Sequence, residues 1–416
     1  MEQKSEIRMM LLTTVRTYRA SAFLAAAEKL GIEIVQAIDM PRELAQDRSD
    51  VLSLNFNDLD EAVAEIVTYA DQRPLQAILS VDDSGSILAA HASAALNLPH
   101  NNIMAVEAAR DKYIMRTYLN QVGILCPQFR RFSTHDDPQK IAGMVDYPCV
   151  VKPLNLSGSR GVIRANNSAE LETAVKRTTR LIHKIRGEGE QSFLIEDYIP
   201  GVEVALEGLL ENGSMTVLAL FDKPDPLVGP FFEETIYVTP SRLPADVQVD
   251  IATCTSQAAA ALGLHSGPIH AELRVNDDGP WIVELAGRSI GGLCGQTLQF
   301  GVDGSLEEII LRQACGLPIT TKQTTDARGV MMIPIPEAGL LRGVAGLEKA
   351  QETPLIEEIT ITAPLNNPLV PLPEGDSYLG FIFARGTTPQ AVESALRNAH
   401  AQLHFQIDTL IPITSA

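Results

Sequence analysis

Two apolar runs joined by a polar turn constrain this chain more than any other feature: PIHAELRV, then NDDGP, then WIVELAGR. Apolar residues that alternate on either side of a turn rich in Asn, Asp, Gly and Pro predict a β-hairpin. With a five-residue loop, Val275 pairs with Trp281, and the register sets Glu272 directly opposite Glu284. Facing carboxylates repel each other, and a divalent cation between them removes that repulsion. The hairpin therefore predicts that Glu272 and Glu284 bind Mg²⁺, a hard ion that prefers oxygen ligands.

Two further side chains belong to the same hairpin. Period-2 alternation puts His270 on the face of Glu272 and Arg288 on the face of Glu284. Arg288 is suited to bidentate contact with a phosphate or an acyl-phosphate. His270 has two interpretations, a base that accepts a proton near neutral pH or a hydrogen-bonded core residue. The alternative to the metal site, a hairpin edge that faces solvent, is disfavoured by the apolar residues around the two glutamates.

A lysine and a Ser/Gly-rich loop follow another apolar strand, Cys149–Lys152. Glycines let backbone N–H groups approach an anion, serines add hydroxyl donors, and the lysine adds a point charge for phosphate oxygens. No Gly-Lys-Ser/Thr closes the loop, so it is not a Walker A loop. A surface turn of the same composition is the alternative. On this ground the residues assigned to phosphate binding are Lys152, Ser157, Gly158, Ser159 and Gly161.

The run FLIEDYIPGVEV places acids at the end of one predicted strand and at the start of the next. Its hinge, residues 196–203, can present backbone N–H and C=O groups to an adenine edge, and Glu203 can accept hydrogen bonds from ribose hydroxyls. An ordinary β-connection with two exposed acids is the alternative. The residues assigned to nucleotide binding here are Glu196, Asp197, Tyr198, Ile199 and Glu203.

In their order along residues 103–317, these motifs resemble the ATP-grasp superfamily. The resemblance adds the helix-borne Lys112 to the ATP-binding residues and Gly291 and Gly292 to the substrate-binding residues, and it implies ATP and Mg²⁺ as cofactors. The family usually ends its metal motif in Glu-x-Asn-x-Arg, whereas this chain has Ala286 in place of the asparagine. One Mg²⁺ site is therefore expected, and a second is left open.

The resemblance also implies an activity. A substrate carboxylate attacks the γ-phosphate of ATP, an amine attacks the resulting acyl-phosphate, and ADP and phosphate are released. The chain is most similar to the L-amino-acid ligases that make dipeptides, so the expected function is an ATP-dependent carboxylate–amine ligase whose substrates are amino acids. Two alternatives stay open: an enzyme of the same fold with a non-amine acceptor (carboxylase-type or formyl-activating), and a non-catalytic ATP-binding regulator.

A long segment, residues 221–244, is rich in proline and aromatic residues and lies between two predicted strands. Long loops inside compact domains usually have a function or are disordered. We expect this segment to form the substrate-side wall of the site through Lys223, Glu233 and Glu234, with a plain surface excursion as the alternative.

The rest of the chain predicts an α/β and α+β fold. Apolar strands alternate with helical segments such as Ala20–Leu30 in the N-terminal part, which is the pattern of an open parallel sheet. The resemblance extends over nearly the whole chain and implies an ATP-grasp fold with three domains. These are an N-terminal parallel-sheet domain (1–102), an ATP-grasp domain of two lobes with its hinge near 196–203 (103–320), and a small α/β cap (321–416).

One turn in the N-terminal part has two interpretations. The sequence Asp82–Asp83–Ser84–Gly85 follows a predicted strand that ends at Val81. The carboxyl ends of parallel strands commonly form ligand-binding crevices. The start of the next helix would use the same residues as an ordinary N-cap.

Charge and composition exclude several classes of partner. The 33 Lys and Arg residues against 52 Asp and Glu residues give a net charge of −19, which disfavours binding to nucleic acid. No apolar run reaches the roughly 18 residues of a membrane helix, and five scattered cysteines fit a reducing compartment. We expect a cytoplasmic enzyme with small-molecule carboxylate and amine partners and no nucleic-acid or membrane partner. A homodimer is left open.

Overall fold

The N-terminal part of the computed structural model is a four-stranded parallel sheet with helices on its faces. Side chains of its central strand alternate between two cores, Met9 and Leu11 in one and Met10 and Leu12 in the other. Burial on both faces explains why this strand is apolar throughout. The structure describes residues 7–15, 17–44, 51–301, 304–322 and 325–409. The N-terminal elements are β1 (Arg8–Thr14), α1 (Ala20–Leu30), β2 (Glu33–Asp39), β3 (Val51–Leu54), α2 (Leu59–Gln72), β4 (Ala77–Ser80) and α3 (Ser86–Ala95), with strand order β3-β2-β1-β4.

The next part is a four-stranded antiparallel sheet preceded by two helices. Residues 103–122 are good helix formers throughout, and this composition predicts a single helical segment. The helix instead breaks at Asp111, whose extended backbone lets its carboxylate accept from the N–H groups of Tyr113 and Ile114. Lys112 therefore begins a new helix. The elements are α4 (Ile103–Arg110), α5 (Lys112–Gln121), β5 (Phe129–Ser133), α6 (Pro138–Ala142), β6 (Cys149–Pro153), β7 (Ile163–Ala165), α7 (Ser168–Arg186) and β8 (Ser192–Asp197), with strand order β5-β8-β6-β7.

A large antiparallel sheet forms the second lobe. Its elements along the chain are β9 (Val202–Glu211), β10 (Ser214–Lys223), β11 (Ile236–Thr239), α8 (Ala245–Leu262), β12 (Gly267–Asn276), β13 (Gly279–Ala286), β14 (Gln299–Phe300), β15 (Gly304–Ser305) and α9 (Leu306–Ala314). The C-terminal elements are β16 (Ala327–Ile333), β17 (Gly339–Ala345), α10 (Leu347–Gln351), β18 (Ile356–Ile361), β19 (Pro368–Leu369), β20 (Gly380–Gly386), α11 (Pro389–His400) and β21 (His404–Asp408).

The C-terminal strands β16, β20 and β18 continue the sheet of the second lobe. The strand order is β13-β12-β9-β10-β11-β16-β20-β18, eight strands in one sheet. The predicted boundary between residues 320 and 321 therefore falls between elements that share a sheet. No helix in the described part of the chain is long and apolar enough to cross a membrane.

The predicted hairpin is present, and Glu272 does pair with Glu284 and His270 with Ala286. The turn is tighter than predicted, because Asn276 pairs with Gly279 and Val275 with Pro280 rather than with Trp281. A bulge between Glu272 and Leu273 then shifts the register back. The predicted pairing at the two glutamates is confirmed, although the loop that led to it is wrong.

Candidate active site

One cavity of about 1130 Å³ brings together nearly all the predicted site residues. Its wall includes residues from the N-terminal sheet, the four-stranded sheet, the eight-stranded sheet and the C-terminal segment. Of the predicted site residues, all of which the structure describes, Gly161, Lys223 and Glu233 do not line it. Those that line it are Lys112, Lys152, Ser157, Gly158, Ser159, Glu196, Asp197, Tyr198, Ile199, Glu203, Glu234, His270, Glu272, Glu284, Arg288, Gly291 and Gly292.

A buried charge network lies in the wall of the cavity that strands β6 and β8 form. Lys152 ion-pairs with Glu196 of the neighbouring strand β8, and Glu196 also accepts from Arg116 Nε at 3.1 Å. Burial lowers the pKa of Lys152 despite this pairing. Burial alone would raise the pKa of Glu196, but the charges of Arg116 and Lys152 outweigh it and lower that pKa. A phosphate entering the cavity would therefore compete with Glu196 for the Lys152 ammonium.

Lys112 connects the Ser/Gly-rich loop to the hairpin. Its Nζ donates to the Leu156 carbonyl at 2.8 Å and to Glu284 Oε1 at 3.3 Å. The sequence did not assign Arg116, which lies one helical turn after Lys112 on α5 and donates to the Val283 carbonyl at 2.6 Å. The i, i+4 spacing of two basic residues on one helix is the signal that could have found it.

The Ser/Gly-rich loop divides into two parts. Ser157 and Gly158 are exposed, and Gly158 and Ser159 have left-handed backbones with φ of 64° and 55°. Gly161 is buried instead, and its N–H donates to the Pro373 carbonyl at 2.7 Å. A Cβ on Gly161 would lie 2.7 Å from Cγ of Pro153. Gly161 therefore packs the loop against its surroundings and does not offer its N–H to a phosphate, contrary to its assignment from the sequence.

The hinge offers fewer free backbone groups than its sequence predicted. The N–H groups of Asp197 and Tyr198 donate to the carbonyls of Gln128 and Pro148 at 3.0 and 3.1 Å. Arg274 donates to the Ile199 carbonyl at 2.9 Å. Within the described residues, no backbone carbonyl accepts from the N–H of Ile199. That N–H is therefore a hinge donor available to a ligand in the cavity.

Three carboxylates converge beside the hairpin, those of Glu203, Glu234 and Glu272, with one oxygen of each lying within 4.8 Å of the others. Lys223 Nζ lies among them, 2.9 Å from Glu203, 2.5 Å from Glu234 and 3.3 Å from Glu272. Burial disfavours the ammonium, but the three carboxylates outweigh burial and raise the pKa of Lys223. Burial and the charge of Glu272 raise the pKa of Glu234 to about 7. The charge of this cluster is thus compensated by a lysine side chain.

Two of the residues predicted for the substrate wall do not reach the cavity. Lys223 lies behind the carboxylates, with 3% of its side chain exposed. Glu233 accepts a hydrogen bond from the Ile335 N–H, and burial raises the pKa of its carboxyl. Glu234 alone of this predicted set lines the cavity.

The two predicted metal ligands both line the cavity, and each has an ammonium neighbour. Glu272 lies beside Lys223, while Glu284 lies 3.3 Å from Lys112. Their side chains keep 17% and 27% of their surface exposed, so their oxygens are accessible from the cavity. Carboxylate oxygens at facing positions of a ladder, open to a cavity that also holds Lys112 and Lys152, form a donor set that fits Mg²⁺. Ala286 is 3% exposed and has no ligand atom.

His270 has both ring nitrogens engaged. Nδ1 pairs with Glu207, and Nε2 lies 3.3 Å from Glu272 Oε1. Burial opposes protonation, but the two carboxylates outweigh it and raise the pKa of His270 to about 9. At neutral pH the ring is therefore protonated, and the alternative of a hydrogen-bonded core residue describes it better than that of a proton acceptor.

Arg288 contacts a residue of the N-terminal domain. Its Nη2 lies 2.8 Å from Asp83 Oδ2, and Arg110 lies 3.8 Å from the same carboxylate. Burial would raise the pKa of Asp83, but the two guanidiniums lower it to about 2. Asp83 belongs to the turn after β4 for which the sequence left two interpretations open, and this turn lines the cavity.

The comparisons with known proteins agree with this geometry. Residues 24–100 match the ATP-grasp N-terminal domain, residues 145–297 the ATP-grasp domain, and residues 331–408 the L-amino acid ligase C-terminal domain 2. The chain therefore belongs to the ATP-grasp superfamily, and the predicted fold is confirmed. The C-terminal match places it beside the L-amino acid ligases within that superfamily.

Individual relatives are distant. An alanine–anticapsin ligase of Bacillus amyloliquefaciens is 26% identical over 315 residues, and the match covers 70% of this chain. The same match covers 66% of the relative, so this chain spans just under two thirds of the relative's length. A D-alanine–D-alanine ligase of Ralstonia pickettii (strain 12J) is 25% identical over 237 residues, covering 54% of this chain and 69% of the relative. The crystal structure of an L-amino acid ligase from Bacillus licheniformis has a TM-score of 0.83 and 24% identity, and the match covers 98% of this chain and 100% of that one.

Proposed function

We propose that the protein is an ATP- and Mg²⁺-dependent ligase that joins a carboxylate to an amine through an acyl-phosphate and releases ADP and phosphate. One observation carries the proposal: a single cavity holds two lysines for phosphates, two facing glutamates and an arginine on the hairpin that bears them. Two of the relatives are named as ligases that act on alanine, which supports amino acids as the substrates.

The nucleotide lies across the hinge in this proposal. The N–H of Ile199 donates to the adenine edge, and Glu203 accepts from the ribose hydroxyls. Lys112 and Lys152 neutralise phosphate oxygens, and Ser157, Gly158 and Ser159 close over them. Glu203 is already fixed by Arg274 Nε at 2.8 Å, so it is preorganised for that role.

Glu272 and Glu284 would hold Mg²⁺, which, when bound, supplies charge neutralisation for the phosphate oxygens. Ala286 leaves the chain without the side chain that would ligate a second ion, so we propose one protein-held Mg²⁺.

The reacting groups meet beside Arg288. The substrate carboxylate attacks the γ-phosphorus and ADP leaves, and the amine then attacks the acyl carbon and phosphate leaves. Arg288 neutralises the acyl-phosphate and the oxyanion that forms on amine attack. Gly291 and Gly292, whose backbones follow Arg288 along the cavity, bind the substrate, and Glu234 provides the opposite wall. Because carboxylates engage both ring nitrogens of His270, the amine enters deprotonated or transfers its proton to a group other than His270.

A phosphate-release screen over amino-acid pairs, with mass spectrometry of the products, tests the function. We expect ADP, phosphate and a dipeptide in equal amounts, and no product when either amino acid is left out. An Arg385→Ala variant, which removes ion pairs with Asp326 and Glu357 outside the cavity, is the matched control for Arg288→Ala. Phosphate release without an amide product, or with bicarbonate as the only acid accepted, would contradict the proposal.

A further inference from the structure

Two consecutive residues that follow β13, Arg288 and Ser289, are held by side chains from two connecting segments of the N-terminal domain. Asp83 contacts Arg288 at 2.8 Å, and Arg19 Nη2 donates to the Ser289 hydroxyl at 2.6 Å. Each contact spans more than 200 residues of sequence, and all four side chains are largely buried. Connecting segments of the N-terminal domain therefore hold the Arg288 guanidinium and the Ser289 hydroxyl at the point where the proposed chemistry occurs.

The turn that bears Asp83 is braced from several sides. The Ser80 hydroxyl donates to the Asp82 carbonyl at 2.5 Å, and the Ser86 hydroxyl donates to the Asp83 carbonyl at 2.8 Å. Arg19 Nη1 donates to the Val81 carbonyl at 2.6 Å. A Cβ at Gly85 would lie 2.6 Å from the Ser80 hydroxyl oxygen, so this turn has no room to relax. Asp83 is consequently held by a rigid element rather than by a loop.

Helix capping does not explain the acids of this turn. Asp82 makes no side-chain capping hydrogen bond, and the N-cap of α3 is Gly85, which has no side chain. Asp82 instead accepts from the hydroxyls of Thr14 and Thr17 at 3.3 and 3.2 Å. The Asp83 carboxylate is directed to Arg288 and Arg110.

The pairing leaves most of the Arg288 guanidinium available. Its Nη1 donates to the Ser289 carbonyl at 2.8 Å and its Nη2 pairs with Asp83. A guanidinium has five N–H donors, so three remain for an acyl-phosphate. Preorganised charge is worth more than charge that must be moved into place during the reaction.

We propose that Asp83 is the positioning residue of Arg288, so that the N-terminal domain sets the geometry of acyl transfer. This inference rests on the proposed function. The nucleotide contacts proposed above, made by the hinge, Lys112 and Lys152, do not include Asp83. Loss of Asp83 should therefore slow the reaction without weakening ATP binding.

The test compares Asp83→Asn, which keeps the shape of the side chain but removes its charge, with a control variant. The control, Asp326→Asn, removes the charge of a carboxylate that pairs with Arg385 outside the cavity. We expect kcat to fall roughly 10²-fold in Asp83→Asn, the scale of a small misplacement of a catalytic group, while the Kd for ATP stays unchanged. In an Arg288→Ala background, Asp83→Asn should have no further effect on product formation. An unchanged kcat, an equal fall in that background, or an equally weakened Kd would overturn the proposal.

A second measurement separates this inference from the proposed function. Crystal structures of wild type and Asp83→Asn with a non-hydrolysable ATP analogue report the guanidinium directly, whatever the substrates are. We expect Arg288 to move or lose order in the variant, and an unmoved Arg288 overturns the positioning role. A wild-type protein that forms no amide would refute the proposed function alone, since the crystallographic comparison still decides the role of Asp83.

Discussion

Replacing Lys223 with methionine removes the only ammonium that lies among three carboxylates in the described structure. Lys223 Nζ is within 3.3 Å of Glu203, Glu234 and Glu272, and its side chain is 3% exposed. Methionine fills a similar volume without a charge. The variant therefore isolates the electrostatic contribution of the lysine, because packing is largely kept.

The expected loss of stability follows from the distances. Two carboxylate oxygens no more than 4.8 Å apart repel by at least roughly 3 kcal/mol at an effective dielectric constant of about 20. Glu234 protonates readily, since its pKa is already about 7, so one charged pair, Glu203 and Glu272, dominates. Breaking a buried ion pair from one side costs about 3–5 kcal/mol. We expect the free energy of unfolding to fall by that amount. Folded proteins typically have a free energy of unfolding of ~5–15 kcal/mol, so the variant should still fold.

The pH dependence has a definite sign. The pKa of Glu234 is higher in the folded protein than its ordinary value of 4.5, so the folded state binds more protons between pH 4.5 and about 7. Stability from this group is thus present below pH 4.5 and is lost as pH rises through that window. Lys223→Met should make folding stability fall more steeply as pH rises, because the remaining carboxylates also become harder to ionise.

Urea unfolding at pH 5.5 and pH 8, with Mg²⁺ or with a chelator, measures these effects. Mg²⁺ should stabilise Lys223→Met more than wild type, because the vacated cluster can bind a cation that the unfolded chain cannot. Lys176→Met is the control, since its ion pair with Glu172 is exposed and worth at most ~0.5 kcal/mol. An unfolding free energy of Lys223→Met within ~1 kcal/mol of wild type at pH 8 would refute the reasoning, because one buried charge pair alone exceeds that value.

Three further predictions concern the nucleotide and the metal. Lys152→Ala should weaken ATP binding in calorimetry, because a buried phosphate partner is lost; unchanged affinity in a folded variant would contradict the assignment. Glu284→Gln should keep the fold and lower turnover by roughly 10²-fold, the usual scale for one electrostatic contact in a transition state. A higher Mg²⁺ concentration should partly restore turnover, and an equal loss at all Mg²⁺ concentrations would contradict a ligand role. Arg160→Ala removes contacts at 2.9 Å to the Glu374 carbonyl and to Asp376. Hydrogen exchange in the Ser/Gly-rich loop should therefore become faster, and the KM for ATP should rise. An unchanged exchange rate would show that the loop does not depend on these contacts.

A helix could be predicted from the sequence where its periodic apolar pattern ends at a residue that stops helices, such as glycine. The helix Ala20–Leu30 ends at Gly31, whose φ of 67° suits glycine, and its prediction is confirmed. The single helix predicted over residues 103–122 failed because Asp111 is an ordinary polar residue in a helical pattern. Its capping role depends on an extended backbone that the pattern does not show.

The candidate site was predictable where its residues lie on one strand or loop, and not where distant segments meet. The partners of Arg288 and Lys152 depend on which elements pack together, and no spacing rule gives that. The role of Asp83 and the partners of Arg116 therefore required the structure. The same holds for Lys223, whose sequence position suggested a substrate contact but whose burial makes it a partner of Glu203, Glu234 and Glu272.

The pairing of Glu272 with Glu284 depends on two departures from a regular hairpin that compensate each other. The tight turn alone would set Glu272 opposite Val283, and Glu284 would then point to the other face of the sheet. The bulge absorbs Val283 as an extra residue and restores the facing glutamates. Arg116 donates to the Val283 carbonyl at 2.6 Å, so it satisfies a backbone group that the bulge removes from the regular ladder. Since Arg116 also pairs with Glu196, one buried side chain links the hinge to the geometry of the metal ligands.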